Sequence, residues 1–374
     1  MMAKYDLVFE GGSAKGSAFV GALEVLQQAG HTHRRLIGTS AGAITATLLA
    51  AGYTPQEMLA AVTERLPNGK PRFASFMDPP TANDFTEQEK LNSTTMKALE
   101  SVHLPGFSNL FGGAVDRLVL KALLASDRYC QLFSFAECGG FFTGAKFLEW
   151  FQEKLAAKGI PADVTFETFA ARTGADLSLV ASDTADVEML VLNHRTSPDC
   201  LVALAVRMSM SIPFVWREVV WQEEWGLYRG RNKTGNIIVD GGVLSNFPIR
   251  LIATTDPFIK DVMGDTDPNG AGNLGLLIDE NVAVANVADT AQPPALKLQL
   301  RTVQRVSRLV DTMTKAQDNI LIQNHEHEIC RIPAKGYGTT EFEMAEARLE
   351  ALIESGRSAM TTHLGGRLTS AVTS

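Results

Sequence analysis

Strand-like and helix-like hydrophobic patterns alternate through the first fifty residues. Tyr5-Asp6-Leu7-Val8-Phe9 is a short apolar run of strand type. It leads into Glu10-Gly11-Gly12-Ser13-Ala14-Lys15-Gly16, a glycine-rich turn, after which Phe19, Leu23 and Leu26 recur at helical spacing. Arg35-Leu36-Ile37 predicts a second strand. It closes at Gly38-Thr39-Ser40-Ala41-Gly42 and is followed by a helix from Ala43 to Ala51 that stops at Gly52. Alternation of this kind predicts a parallel sheet with right-handed crossovers. Both loops then fall at one carboxyl edge of the sheet, where α/β proteins build their sites.

Further along, Phe147 to Leu155 predicts a helix that ends at Gly159 and Pro161. Leu177–Ser182, Val187–Asn193, Phe214–Trp221 and Leu274–Asp279 read as strands. Asn236-Ile237-Ile238-Val239 is another, ending in Asp240-Gly241-Gly242. The stretch from Asp256 to Asn273, rich in Asp, Gly, Asn and Pro, reads as a surface loop and a soft boundary. A long helix is expected after Pro293-Pro294. Its apolar stripe is Leu296, Leu300, Val303, Val306, Val310 and Met313, and Lys297, Arg301, Arg305 and Arg308 lie beside it. A basic amphipathic helix can lie on an anionic membrane surface, or form a solvated face over a core. The last helix begins within Phe342–Leu352, with a frayed tail after Gly365.

Composition adds bounds. Hydrophobic residues make up 45% and charged residues 20% of 374, which gives a globular chain with a real core rather than a disordered one. The net charge of −8 attracts no nucleic acid globally. Cys130, Cys138, Cys200 and Cys330 are too scattered for a disulfide scaffold or a zinc site, and read as reduced thiols of a cytoplasmic protein. The start, Met1-Met2-Ala3-Lys4, lacks the pattern of a signal peptide, and no apolar run approaches the ~20 residues of a spanning helix.

Gly38-Thr39-Ser40-Ala41-Gly42 fits the nucleophile elbow G-x-S-x-G. There a serine sits on a strained strand-to-helix turn, flanking glycines let the backbone pass closely, and the helix N-terminus favours developing negative charge. The glycine loop is not a phosphate-binding loop, because Lys15 precedes Gly16. It is no dinucleotide fingerprint either, because Ser13 stands where the second glycine belongs. Acyl transfer needs backbone N–H donors for an oxyanion, and such a turn supplies them.

A serine nucleophile also needs a base. His31 and His33 precede the strand that carries Ser40, so they belong at the opposite sheet edge, roughly 20 Å away. His103 and His194 stand in unpatterned surroundings, His325 and His327 have no third ligand nearby, and His363 is near the C-terminus. Asp240 does end a strand, where two glycines give a tight turn that exposes the carboxylate. An ordinary Asp-Gly turn has the same signature.

Taken together, the early glycine loop, Gly38-Thr39-Ser40-Ala41-Gly42 and the late Asp240-Gly241-Gly242 resemble the patatin-like phospholipase family, over roughly Tyr5 to Arg250. The segment Ala205-Val206-Arg207-Met208-Ser209-Met210-Ser211-Ile212-Pro213 resembles the family text before the aspartate. Asn246-Phe247-Pro248 loosely resembles its asparagine–proline pairing. The resemblance implies an α/β fold, a mostly parallel central sheet flanked by helices in three layers. It implies a Ser–Asp dyad at Ser40 and Asp240 without histidine. It implies an oxyanion hole in Gly11, Gly12, Ser13, Ala14, Lys15 and Gly16, with the oxyanion at Gly11 to Ser13. One departure is Ser13, where the family usually has glycine.

The implied activity is hydrolysis of acyl esters of phospholipids or related lipids through an acyl-enzyme, of phospholipase A or lysophospholipase type, with no metal and no cofactor. An acyltransferase on the same scaffold, a non-catalytic lipid-binding or regulatory protein, and an effector opened by an activator or a membrane stay open. An α/β-hydrolase triad fits poorly, since Ser40 follows only the second strand. The expected organisation is a catalytic core at 5–255 and a C-terminal helical extension at 256–374. Within the core, an insertion at about 70–145 holds most of a stretch with eleven of the nineteen phenylalanines, Phe73 to Phe151, where even scatter would give about four. Pro79-Pro80 and the polar run Thr81–Ser93 read as its exposed entry. The insertion reads as a lid with an aromatic lining for acyl chains, or as a satellite helical core.

Overall fold

Five parallel strands carry the architecture. β1 (Lys4–Phe9) pairs with β2 (Thr32–Thr39), which pairs with β4 (Asp176–Asp183). On the other side of β1 lie β9 (Gly272–Ala283) and then β10 (Ile329–Lys335). This computed structural model describes residues 2–101, 112–254, 256–264, 271–285, 287, 322–338 and 341–372. A separate two-stranded sheet joins β3 (Gly140–Phe142) to β6 (Phe214–Trp216).

The strands are buried almost throughout, and successive residues enter cores on opposite faces. Leu7, Phe9, Leu36 and Leu179 pack in one cluster. Val8, Ile37 and Val180 pack in another. A sheet buried on both faces needs helices on both, which is the three-layer arrangement the family resemblance implies. On one face lie α1 (Ala18–Gln28) and α2 (Ala41–Ala50). On the other lie α11 (Arg250–Ala253) and α12 (Pro257–Met263). Helix α3 (Pro55–Val62) starts at a Thr54–Glu57 capping box.

The insertion is helical: α4 (Glu87–Asn92), α5 (Thr94–Ser101), α6 (Gly112–Leu124) and α7 (Asp127–Cys138). Phe85, Met96, Leu120, Leu124, Cys130 and Phe133 give it a small core of its own. Most of its phenylalanines are packed rather than lining an open path. Phe76, Phe141, Phe142, Phe147 and Phe151 are buried in the main core. Phe107 and Phe111 lie outside the described residues, as does Gly106. Helices α8 (Ala145–Ala157), α9 (Phe166–Thr173) and α10 (Val202–Ser209) complete the region up to β6.

The antiparallel strands decide where the late aspartate goes. Leu179 and Val180 of β4 pair with β2 on one edge and with β5 (Glu188–Leu192) on the other. At Ala181, β5 continues, but β2 has ended and β8 (Ile237–Asp240) takes its place, running the opposite way. Thr39 pairs with Val180, and Asp240 pairs with Ala181. β2 and β8 therefore meet head to head along one edge of β4. The short β7 (Val219–Val220) flanks β8.

Several expectations change. Phe214–Trp221 is not one strand; it divides into β6 and β7, which belong to different sheets. The stretch from Asp256 is not all loop. Asp256 caps α12 by accepting from the Phe258 amide, Pro257 opens the helix, and Ile259, Val262 and Met263 are buried. The C-terminal part is not only a helical extension packed on a finished core, because β9 and β10 extend the central sheet itself. The last helix, α13 (Glu346–Val372), starts after Phe342 and continues past Gly365 instead of fraying there. Gly356 lets it approach α1: a Cβ there would lie 2.0 Å from the Ala18 carbonyl. The basic stripe expected between Pro293 and Met313 lies outside the described residues. Among the described residues, no helix is long and apolar enough to cross a membrane.

Candidate active site

Ser40 stands between β2 and α2 in a conformation that side chains rarely adopt, with φ +53° and ψ −119°. Such backbone costs about 1–3 kcal/mol and persists only where its surroundings hold it. Here they do. The Ser40 amide donates to Ser209 Oγ at 2.9 Å, and that hydroxyl donates to the Val180 carbonyl at 2.6 Å. The elbow glycines are there for clearance. A Cβ on Gly38 would sit 2.2 Å from the Gly42 carbonyl, and one on Gly42 would sit 2.2 Å from the Phe9 carbonyl. Ala41 begins α2 and faces Gly16, where a Cβ would come within 2.6 Å of it. Thr39 Oγ1 donates to the Ser245 carbonyl at 3.2 Å.

Asp240 is brought to Ser40 by the strand meeting. Its carboxyl is buried, not exposed as an Asp-Gly turn would have it; Ser40 and Asp240 are each only 4% accessible. The cause is the close passage of the turn over β4: a Cβ on Gly241 would be 2.3 Å from the Val180 carbonyl. Oδ1 accepts the Gly242 amide at 2.7 Å. Oδ2 is buried and has no partner of full hydrogen-bond geometry among the described residues. Burial pushes the Asp240 pKa up to about 7, while the Gly242 amide and the facing Ser40 hydroxyl pull it part of the way back. The serine–aspartate contact is thus an open one. Catalytic hydrogen bonds are often long before substrate binds.

The glycine loop does not offer all six of its residues as donors. The Gly11 amide is taken by the Asn246 carbonyl at 2.9 Å, and the Lys15 amide by the Gly12 carbonyl at 3.0 Å. Lys15 is buried, with its ammonium on Glu280. Gly16 lies inside the short 3-10 helix Ser13–Ser17, which also takes in Ala14. The amides of Gly12 and Ser13 donate to no acceptor among the described residues. Of the three residues expected around the oxyanion, Gly11 therefore has its amide engaged, and Gly12 and Ser13 do not. Ser13 has φ +47°, a left-handed angle that suits glycine and strains serine.

No histidine contacts Ser40 or Asp240 among the described residues. His31 Nδ1 accepts the Ala3 amide at 3.0 Å at the far end of β2, as its place in the sequence predicts. His325 pairs with Glu328, and His103 lies outside the described residues.

Residues 7–253 match the family model described as patatin-like phospholipase. The chain belongs to the patatin-like phospholipase family. YqhO of Bacillus subtilis (strain 168), an uncharacterized protein, is 28% identical over 359 residues, 94% of this chain and 95% of YqhO. The probable lipid hydrolase 463L of invertebrate iridescent virus 6 is 22% identical over 243 residues, 65% of this chain and 61% of that protein. The crystal structure of VipD from Legionella pneumophila superposes with a TM-score of 0.51 at 15% identity, over 97% of this chain and 67% of VipD. The likeness to VipD is one of fold. Patatin-like membership supports lipid hydrolase activity.

Two features of this patatin-like chain escaped the sequence reading. Asp183, Asp186 and Glu188 converge as a metal site would, but the buried Lys233 ammonium sits among them at 2.8, 2.6 and 2.9 Å. A lysine after the β4–β5 hairpin carried no signal that it would fold back into three carboxylates. Asn246 holds the glycine loop, and only its place after Asp240-Gly241-Gly242 hinted at importance.

Proposed function

We propose that the protein is a serine lipid acyl hydrolase working through a Ser40–Asp240 dyad, on phospholipids or lysophospholipids. The observation that carries this reading is a strained serine and a carboxyl, both buried, brought together where β2 and β8 meet on β4; burial there raises the Asp240 pKa to about 7. An ordinary aspartate is too acidic to take a serine proton near neutrality, and a raised pKa makes it a usable base. Asp240 accepts the Ser40 proton as Oγ attacks the ester carbonyl carbon. The tetrahedral oxyanion accepts hydrogen bonds from the Gly12 and Ser13 amides. The intermediate collapses, Asp240 returns the proton to the leaving alcohol, and the acyl group stays on Ser40. Water then attacks the acyl-enzyme, giving a proton to Asp240. The second collapse releases the fatty acid, and the proton returns to Ser40. The helical insertion serves as the lid, and contact with membranes is peripheral.

Hydrolysis of p-nitrophenyl butyrate and of mixed phospholipid vesicles tests this. Ser40→Ala and Asp240→Asn are expected to lose activity while staying folded. Equal rates in wild type and Ser40→Ala would overturn the assignment.

A further inference from the structure

We propose that Asn246 is a positioning residue that, together with Glu10, aims the Gly12 amide at the oxyanion; this rests on the hydrolase reading above. Asn246 grips the Gly11 residue from both sides. Its backbone carbonyl accepts the Gly11 amide at 2.9 Å, and its Nδ2 donates to the Gly11 carbonyl at 2.9 Å. The same Nδ2 donates to Glu10 Oε1 at 3.1 Å, and Glu10 Oε2 accepts the Ile278 amide of β9 at 2.6 Å. Oδ1 lies between the two loops. A Cβ built on Gly11 would be 2.2 Å from it, and one built on Gly242 would be 2.9 Å from it.

The consequence follows from peptide planarity. The Gly11 carbonyl and the Gly12 N–H belong to one trans peptide, so they point in opposite directions. Fixing the carbonyl on Asn246 fixes the N–H on the other side. Glycine on both sides of that bond leaves the plane otherwise easy to turn. The side chain that stops the turn comes from the segment that follows Asp240-Gly241-Gly242. One residue thereby sets the oxyanion donor relative to the base. Glu10 completes the brace, because it ties Asn246 to the neighbouring strand.

The test uses the full-length protein and p-nitrophenyl butyrate, with a fluorophosphonate probe to count reactive sites. Asn246→Ala is expected to lower kcat per labelled site about 10- to 100-fold, the loss that misplaced catalytic groups give, with KM within about twofold. Asn246→Asp is expected to be worse, because a second carboxylate then faces Glu10. Adding Glu10→Gln lets an amide at position 10 donate to the new carboxylate and recovers about fivefold of the rate lost beyond Asn246→Ala, while the Gly11 carbonyl still lacks its donor. A residue with only a structural role would lower the melting temperature and the number of labelled sites, without changing kcat per site or responding to that rescue. Unchanged kcat per site in Asn246→Ala, with a reactive wild type, overturns this inference and leaves the hydrolase reading intact. A wild type that neither hydrolyses ester nor labels at Ser40 overturns both.

Discussion

The hydroxyl of Ser209 stands between the Ser40 amide and the Val180 carbonyl, accepting from one at 2.9 Å and donating to the other at 2.6 Å. It is fully buried. The strained Ser40 backbone is therefore held by a side chain from α10 rather than by its own strand. Ser209→Ala leaves the Ser40 amide unpaired in the interior, which costs about 1–3 kcal/mol of stability. The elbow is also freed to relax, so fluorophosphonate labelling is expected to slow about tenfold or more. Thermal unfolding and labelling rates check the two effects separately.

Ser13 is the one place where the glycine loop carries a side chain at a left-handed angle. Ser13→Gly removes that strain and is expected to raise stability by up to about 1 kcal/mol, less the entropy that glycine loses on folding. The amide remains, so activity is expected to be kept. A loss of activity would mean that the hydroxyl itself contributes to the reaction.

The pKa of Asp240 sets a pH profile. Its base form is filled as pH rises through about 7, so kcat/KM is expected to climb across that range and level off above it. Stability moves the other way. Folded Asp240 holds its proton up to about 7, whereas unfolded it lets go near 3.8, the ordinary value of an aspartate. Between those values the folded state binds more protons, so this group's contribution to stability falls as pH rises, until both states are ionised. Asp240→Asn is therefore expected to be inactive and to melt higher than wild type at pH 8, with the gap closing towards pH 4. Melting curves across this range check the sign.

Lys233 is a different kind of buried charge. Burial pushes the Asp183 and Glu188 pKa values up, but bonds to Lys233, Asn236 and Arg231 outweigh it and hold them low; Asp186 is lowered by Lys233 itself. Lys233→Met leaves three carboxylates facing one another and is expected to cost about 3 kcal/mol, the low end for a broken buried pair because Asp186 is half exposed. Carboxylates with lowered pKa values stabilise above their unfolded values and lose that contribution as pH falls through the folded ones. The penalty of Lys233→Met is thus expected at neutral pH and to shrink below about pH 4. Urea unfolding at the two pH values measures it.

Local pattern made much of this legible. β1, β2, β4 and β9 are apolar runs bounded by turns, and the elbow and glycine loop lie where strand–helix alternation puts them. Asp240 was visible as a strand end. Its burial was not, because that depends on β8 pairing antiparallel to β4 next to the end of β2. The Gly11 amide looked available until a partner from far along the chain, the Asn246 carbonyl, took it. α12 was hidden by a composition of turn formers, in which Asp256 and Pro257 serve as helix-starting residues instead.

The meeting of β2 and β8 on one edge of β4 sets position by strand register and not by chain length. Thr39 and Asp240 are registered against consecutive residues of a third strand, and not against each other. Apart from α2 and α10, which hold the Ser40 turn, the segments between these strands can differ in length while the two ends return to the same rail. The helical insertion, which packs a small core of its own, is one such segment.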